Sequence, residues 1–398
     1  MLKISIIRAF PIYIVSILLA QPLKILFELS FDFPYQIFSF FELIIPTIFV
    51  FIYRKKLKAV PTYYFFIFGA LTLYFLFYIF ISIFSVNQYS NLVQISYSYF
   101  NNIRILSVAC IFFILKIENI NIKLINKFIF IFVIYFTLVA LIQNPYISSA
   151  GSELLSNVGG NITSRNAFFF RSNGGIGGNV IDFATLLIIL TFYFVGRRDY
   201  NFKSYSIIFA IIICLFLSFS RSSILLFCLY FLTVKLRRKS IFLVTFMLSM
   251  FYFIYNDSDV ATILYNYDEM VGHSDESRLN GWSHIFTDFS SIDDYIFGKK
   301  MGANTGFYLN GTSKVMGDGS LFTYYYDYGI FGILFLFASF ISVIFSSDLP
   351  YSLKWPIFIC TFFLLIINSG LEKNLVYSLF IYALLSLSPK YYSYINEK

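Results

Sequence analysis

Charge is what this sequence has least of. Only 13% of its 398 residues are Asp, Glu, Lys or Arg, about half the share of an ordinary soluble domain. A mean hydropathy of +0.76 over the whole length excludes a soluble enzyme with a single anchor. Strand-type alternation of apolar and polar residues is also missing, which argues against an outer-membrane barrel. Cysteine occurs four times, at Cys110, Cys214, Cys228 and Cys360. Each lies inside an apolar run, so none belongs to a loop disulfide or a metal-ligand set, and all four read as small core residues. No Walker A loop is present, which removes ATP as a direct energy source. No Cys/His metal spacing occurs either, so neither metal nor cofactor is expected.

What the chain has in quantity is apolar runs of about 15 to 24 residues, the length a helix needs to cross a hydrocarbon core. They fall near 4–20, 37–53, 61–85, 103–117, 124–143, 180–195, 205–219, 222–235, 240–255, 321–345, 353–368 and 375–388. The expected fold is all-α: a polytopic membrane protein of about twelve helices, with residues 1–398 forming one integral membrane domain. The first run has basic flanks, Lys3 and Arg8, but is followed by Gln21-Pro22-Leu23-Lys24 rather than a small-x-small cleavage site. It is expected to be a retained helix and not a signal peptide.

A formal charge of +8 would raise the question of nucleic acid in a soluble protein. Here the basic residues cluster in alternate loops: Arg54, Lys55, Lys56 and Lys58; Lys116, Lys123 and Lys127; Arg197, Arg198 and Lys203; Lys235, Arg237, Arg238 and Lys239. With Lys3, Arg8, Lys354, Lys390 and Lys398 they make 19 of the 29 Lys and Arg residues. That is the positive-inside bias. It puts both termini in the cytoplasm of a bacterial inner-membrane protein, and it leaves no role for nucleic acid.

The same orientation turns two long segments, 144–179 and 256–320, to the periplasm. Together they hold 15 of the 20 glycines and both histidines. Connections between packed helices usually take about 2–8 residues, so segments this long have a task or are disordered. Trp282, Ile285, Phe286, Phe289, Tyr295, Ile296 and Phe297 argue for a folded cap in the second.

Ser-Arg recurs on this side, at Ser164-Arg165, Ser220-Arg221 and Ser277-Arg278, with Arg171 nearby. Arg221 sits between two apolar runs with almost no loop around it, where a charge is costly unless paired or facing water. One reading is a set of guanidiniums facing an anionic group, since the planar fork of Arg suits phosphate; the other is interfacial snorkelling against headgroups. His273 and His284 are either proton-transfer groups or ordinary loop residues. Carboxylates are plentiful beside them: Asp275, Glu276, Asp288, Asp293, Asp294 and Asp318. Asp327, within the tenth run, is expected to find an outward Arg; Asp182 opens the sixth; Glu42 lies inside the second. The stretch Asn173-Gly174-Gly175-Ile176-Gly177-Gly178 follows no strand and reads as flexible or anion-cradling backbone rather than a nucleotide loop.

Three elements then carry a resemblance. The first is Leu217-Ser218-Phe219-Ser220-Arg221-Ser222-Ser223. The second is Ser277-Arg278, Trp282, Ile296-Phe297-Gly298 and Gly302. The third is Asp318-Gly319-Ser320, a run of aromatics, and Gly329-Ile330-Phe331-Gly332. In this order, over roughly residues 180–345, the chain resembles the O-antigen polymerase (Wzy) family, and more distantly the O-antigen ligases. It departs from a pattern of some polymerases, an Arg followed eleven residues later by Gly: Arg165, Arg171 and Arg278 lead instead to Ile176, Asp182 and Phe289.

The resemblance implies a GT-C-like membrane fold and a metal-independent, lipid-diphosphate-dependent glycosyltransferase. A growing glycan on undecaprenyl diphosphate would be donor, and a repeat unit on the same carrier the acceptor, on the periplasmic face. It implies Arg278 and Arg221 as the diphosphate ligands, assisted by Arg165 and Arg171. Trp282 would stack on sugar or pack in the core. The base would be Asp318 or His284, with Glu28 and Asp32 in the first outward loop as a third choice. Membrane lipids are implied partners, and the resemblance leaves room for a polysaccharide chain-length regulator. Two other readings compete: a ligase that moves finished glycan onto lipid A core, and a lipid-linked oligosaccharide flippase or other transporter. A transporter places charges along a midplane path; here the ionisable residues gather in the outward loops.

Overall fold

Without water, a backbone satisfies its own hydrogen bonds only as a helix or a closed barrel, and a sequence with long apolar runs and no alternation takes the first route. The computed structural model describes residues 6–31, 36–83, 88–116, 122–143, 180–197, 202–218, 220–234, 280, 282–283, 285–299, 301, 319–367, 371 and 373–389, with only the backbone described at 6–7, 24–31, 36–43, 82–83, 88–91, 93–94, 122–123, 202–203 and 221. Every regular element among these is helical. They are α1 (Ile6–Phe31), α2 (Gln36–Ile52), a 3-10 turn (Arg54–Ala59), α3 (Thr62–Ile83), α4 (Gln88–Lys116), α5 (Ile122–Ile142), α6 (Val180–Gly196), α7 (Phe202–Ser218) and α8 (Arg221–Val234). There follow α9 (Ile292–Phe297), α10 (Ser320–Tyr328), α11 (Ile330–Leu336), a π turn (Phe337–Ile341), α12 (Ser342–Ser346), α13 (Tyr351–Ile367) and α14 (Asn374–Ser386).

Among the described residues, three stretches, Thr62–Ile81, Ile95–Lys116 and Leu124–Ile142, are long and apolar enough to cross a membrane. The remaining apolar helices are shorter, among them α6, α8, α13 and α14. The expected twelfth-part division of the chain is therefore met only in its coarse form, a helical bundle with several candidate spans. The expected run at 240–255 lies outside the described residues.

Burial sorts the helices into layers. α6 and α14 are buried on almost every side, as a helix that is apolar all round must be. They pack on one another, and α14 also packs on α4. At the rim, α3 is only 11% buried over its most apolar window, against 83% for α4. Phe66, Leu73 and Phe80 of α3 stand out from the surface. A belt of large exposed apolar side chains of this kind marks contact with something other than water.

Side-chain contacts fix the helix directions. α6 and α14 run parallel, with Asp182 3.9 Å from Lys373 at their starts and the Tyr193 and Tyr382 rings 5.5 Å apart near their ends. α4 runs parallel to the α10–α12 stretch: Asn102 meets Tyr328, and Lys116 meets Asp348 at 3.0 Å. α3 runs against both, since Tyr64 bonds Ser342 while Tyr74 lies against Tyr328. α5 runs against α6, with Asn126 accepting from Tyr193 and Phe136 packed on Phe183. α13 ends beside Gly319, where α10 begins. One end of the bundle thus gathers Lys116, Asn126 and Arg197, and is called the basic end. The other carries the short helix α9 and is called the capped end.

Two segments differ from the sequence reading for physical reasons. The run expected at 103–117 is the second half of a helix that starts at Gln88. The added turns carry Ser98, Asn101 and Asn102, all buried, and their polar groups are bonded within the bundle. The run expected at 321–345 is broken at Gly329 and loosened again by the π turn. A π turn frees backbone carbonyls, and tyrosines from neighbouring helices take them: the Tyr64 hydroxyl donates to Ala338 O at 2.6 Å, and the Tyr377 hydroxyl donates to Ser339 O.

Candidate functional site at the capped end

Two glycine turns from different parts of the sequence meet here. α9 opens with a capping box: Ser291 Oγ accepts from Asp294 N at 3.3 Å, and Asp294 Oδ2 accepts from Ser291 N at 3.1 Å. The same carboxylate takes Lys299 Nζ at 2.8 Å and Ser290 N at 2.8 Å. The Lys299 ammonium, with the serine backbone amides, holds the Asp294 carboxyl well below the usual carboxylate range. α9 then stops at Gly298, with φ 76°, while Gly329, with φ 60°, separates α10 from α11.

Both glycines are in the left-handed region that side chains avoid, and both are also closely approached. A Cβ on Gly298 would run into the backbone of Asp327 and Tyr328; one on Gly329 would run into the backbone of Ile296. Lys299 N donates to Tyr326 O at 2.8 Å, and the Tyr74 hydroxyl of α3 donates to Phe297 O. The Phe297-Gly298 turn is therefore seated directly on the break between α10 and α11.

Beneath this joint lies a buried polar network. Asn102 Nδ2 donates to the Tyr328 hydroxyl at 2.6 Å, and Asn102 Oδ1 accepts from the Tyr324 hydroxyl at 2.9 Å. Ser98 bonds the Tyr328 hydroxyl as well. Asp327, fully buried, lies beside these groups, and Arg104 donates to Asn101 one turn along α4. Leaving one such buried group unpaired costs about 1–3 kcal/mol, so a joint resting on this network is held firmly.

Above the joint, Trp282 stacks on Phe322 of α10 at 4.4 Å with planes 17° apart. Ile285 and Phe289 are buried against Phe322, Tyr325 and Tyr326, and the Tyr326 hydroxyl donates to Asp288 Oδ2 at 3.2 Å. Of the apolar residues read as a folded cap, Trp282, Ile285 and Phe289 pack onto α10, while Phe286, Tyr295, Ile296 and Phe297 stay exposed. Between α9, α10 and α11 they leave an apolar cleft of about 460 Å³ lined by residues such as Phe286, Ile296, Phe322, Tyr325 and Ile333.

Arg221 is the first residue of α8. The Tyr230 hydroxyl bonds Phe192 O near the end of α6, so α8 begins at the capped end. The chain breaks from α7 by local serine chemistry. Ser218 Oγ donates back to Leu215 O at 2.8 Å and accepts from Ser220 N at 3.4 Å. Ser220 Oγ donates to Ser223 Oγ at 2.9 Å, and Ser220 O accepts from Ile224 N at 3.0 Å, starting α8. Side chains of this type favour such caps over helix interiors. α13 packs against both α8 and α10, so it links the Arg221 turn to the cap.

No protein-family model matches the sequence, and no curated protein matches it. The site is thus read from its own residues. Of the expected ones, Trp282 is described with its side chain, and Arg221 by its backbone alone. Arg165, Arg171, Arg278, His273, His284, Asp318 and Asp32 lie outside the described residues, and Glu28 and Glu42 are described by backbone alone. Asp182 stands in the first turn of α6, as expected, with Lys373 as its ion-pair partner. The Ser98–Asn102–Tyr324–Tyr328 network was missed. Its signal was there: Ser98, Asn101 and Asn102 recur at helical spacing upstream of an apolar run. Chemically, the capped end offers stacked aromatics beside an apolar cleft.

Proposed function

We propose that this protein is a polytopic inner-membrane polymerase that joins lipid-diphosphate-linked oligosaccharide repeat units on the periplasmic face. The observation that carries the reading is the joint: Phe297-Gly298, Gly329 and the Trp282–Phe322 stack, separate pieces of the motif order, come together at one end of a helical bundle. The agreement of helix directions with the basic loops supports the orientation. Lys116, Lys127 and Arg197 fall toward one end and the cap at the other, as the positive-inside bias requires. In the chemistry, an acceptor hydroxyl oxygen bonds to the anomeric carbon of the donor glycan while the sugar–diphosphate C–O bond breaks. The electron pair leaves with the diphosphate, and the hydroxyl proton passes to a base, Asp318 or His284. Arg278 and Arg221, with Arg165 and Arg171, neutralise the departing diphosphate, an electrostatic role worth several kcal/mol in comparable sites.

The orientation has a direct check. With the native cysteines replaced, Lys56→Cys and Arg237→Cys are expected to resist a membrane-impermeant thiol reagent in intact spheroplasts. Ser258→Cys and Thr312→Cys are expected to react. Labelling in the opposite sense would turn the proposed active face to the cytoplasm.

Deletion separates the polymerase from its competitors. Without a polymerase, single repeats are still made, flipped and attached, so the surface glycolipid is expected to carry one repeat on its core. Bare core with polymer left on the carrier would point to a ligase; bare core with single repeats trapped inside would point to a flippase.

A further inference from the structure

Among the described residues, the short helix α9 turns an apolar side largely outward, with Tyr295 of that side resting edge-on against Phe289. Ile292, Tyr295 and Ile296 fall three and four residues apart, on one helix face. Ile292 is 78% exposed, and Tyr295, Ile296 and Phe297 are also exposed. The side away from Ile292 carries Asp294, which holds Ser290 and Lys299 beyond the helix ends, and the exposed Asp293 flanks the apolar side. The apolar side does not stop at α9. Phe297 stacks on Phe331 at 5.7 Å, and α11 continues it with Ile330 and Leu334, both exposed. The apolar cleft of about 460 Å³ lies between the two, walled by Tyr295 and Ile296 on one side and Ile330 and Ile333 on the other.

We infer that the cap is not held clear of the membrane. The Ile292–Ile296–Phe297 edge lies in the outer boundary of the bilayer, and an acyl chain of a membrane phospholipid fills the cleft between α9 and α11. A short amphipathic segment with a charged side seats its apolar side about 5–10 Å into the headgroup–acyl boundary. The occupant follows from continuity: the exposed row on α11 belongs to an apolar helix of the bundle, and it meets the apolar side of α9 across the cleft, which Ile296 and Ile330 both line. A protein partner would instead have to bury Ile330 and Leu334, the apolar surface of a helix in the bundle, along with the cap. The inference rests on the membrane-spanning part of the reading above and not on the glycosyl transfer.

Spin labels test it in the full-length protein, with its native cysteines replaced and reconstituted into phosphatidylethanolamine–phosphatidylglycerol vesicles. Labels at Ile292→Cys and Ile296→Cys are expected to show several-fold higher collision with oxygen, relative to a water-soluble nickel chelate, than a label at Ser283→Cys on the exposed polar part of the cap. A label at Phe66→Cys, on the rim of α3, serves as reference: if it too reads aqueous, the membrane reading itself fails. A hydrocarbon signal at 66 with an aqueous signal at 292 and 296 overturns the seated cap alone. A hydrocarbon signal at 292 and 296 that needs added undecaprenyl lipid overturns the phospholipid as occupant and assigns the cleft to the carrier chain.

Discussion

Alanine in place of Arg278 or Arg221 is expected to abolish polymer on the cell surface while leaving the amount of membrane-inserted protein unchanged. In the proposed reaction a diphosphate departs with its charge concentrated on a few oxygens, next to a low-dielectric phase, and each guanidinium would meet two of them at once. Removing one such preorganised donor costs about 10²–10³ in rate in comparable sites, enough that no polymer accumulates. Lysine is expected to rescue poorly at either position, because a point charge does not reproduce the two parallel hydrogen bonds. The check is the polymer ladder from cells expressing each variant, alongside an immunoblot of the membrane fraction. Normal ladders from both alanine variants would remove the arginines from the diphosphate.

The second large effect falls on the joint rather than on the chemistry. Gly329→Ala and Gly298→Ala each place a Cβ against backbone from the partner turn, at a positive φ. Backbone has no alternative rotamer, so the turn must lift. Strain of this kind costs about 1–3 kcal/mol before the steric clash is added. The cap is expected to separate from α10 while the bundle beneath keeps its helices. Ile285, which has no exposed surface in the closed cap, supplies the readout. A cysteine introduced there is expected to react with thiol reagent much faster in either glycine variant, with loss of polymer. Gly69→Ala is the control, because a Cβ on that α3 residue meets nothing within 4 Å, and it should leave both readings unchanged. Equal labelling rates in all three backgrounds would show that the glycine contact does not hold the cap.

These expectations draw unequally on sequence and structure. The helical bundle was legible because apolar runs and basic loops are one-dimensional signals: Lys116 and Arg197 announce an end of a helix before any packing is known. The folded nature of the cap was legible in the same way, from Ile285, Phe289 and Trp282 in a loop too apolar to stay dissolved. The joint between Gly298 and Gly329 was not, because the meaning of a glycine depends on which backbone approaches it. The buried network was hidden for a related reason. Asn102 falls just outside the apolar run expected at 103–117, and its partners Tyr324 and Tyr328 come from more than two hundred residues away. Asp327, expected as the partner of an outward arginine, lies fully buried beside that network at the end of α10.

Chain elongation by the purified protein tests the central claim most directly. Given lipid-diphosphate-linked repeat units in detergent or vesicles, without ATP and without core acceptor, it is expected to yield a ladder of lengthened glycans on the same lipid carrier. Chelator is expected to leave the ladder intact, since the sequence offers no metal-ligand set in its outward loops. A preparation that retains its helices and binds the lipid-linked repeats, yet leaves them as single units until core acceptor is added, would contradict the account.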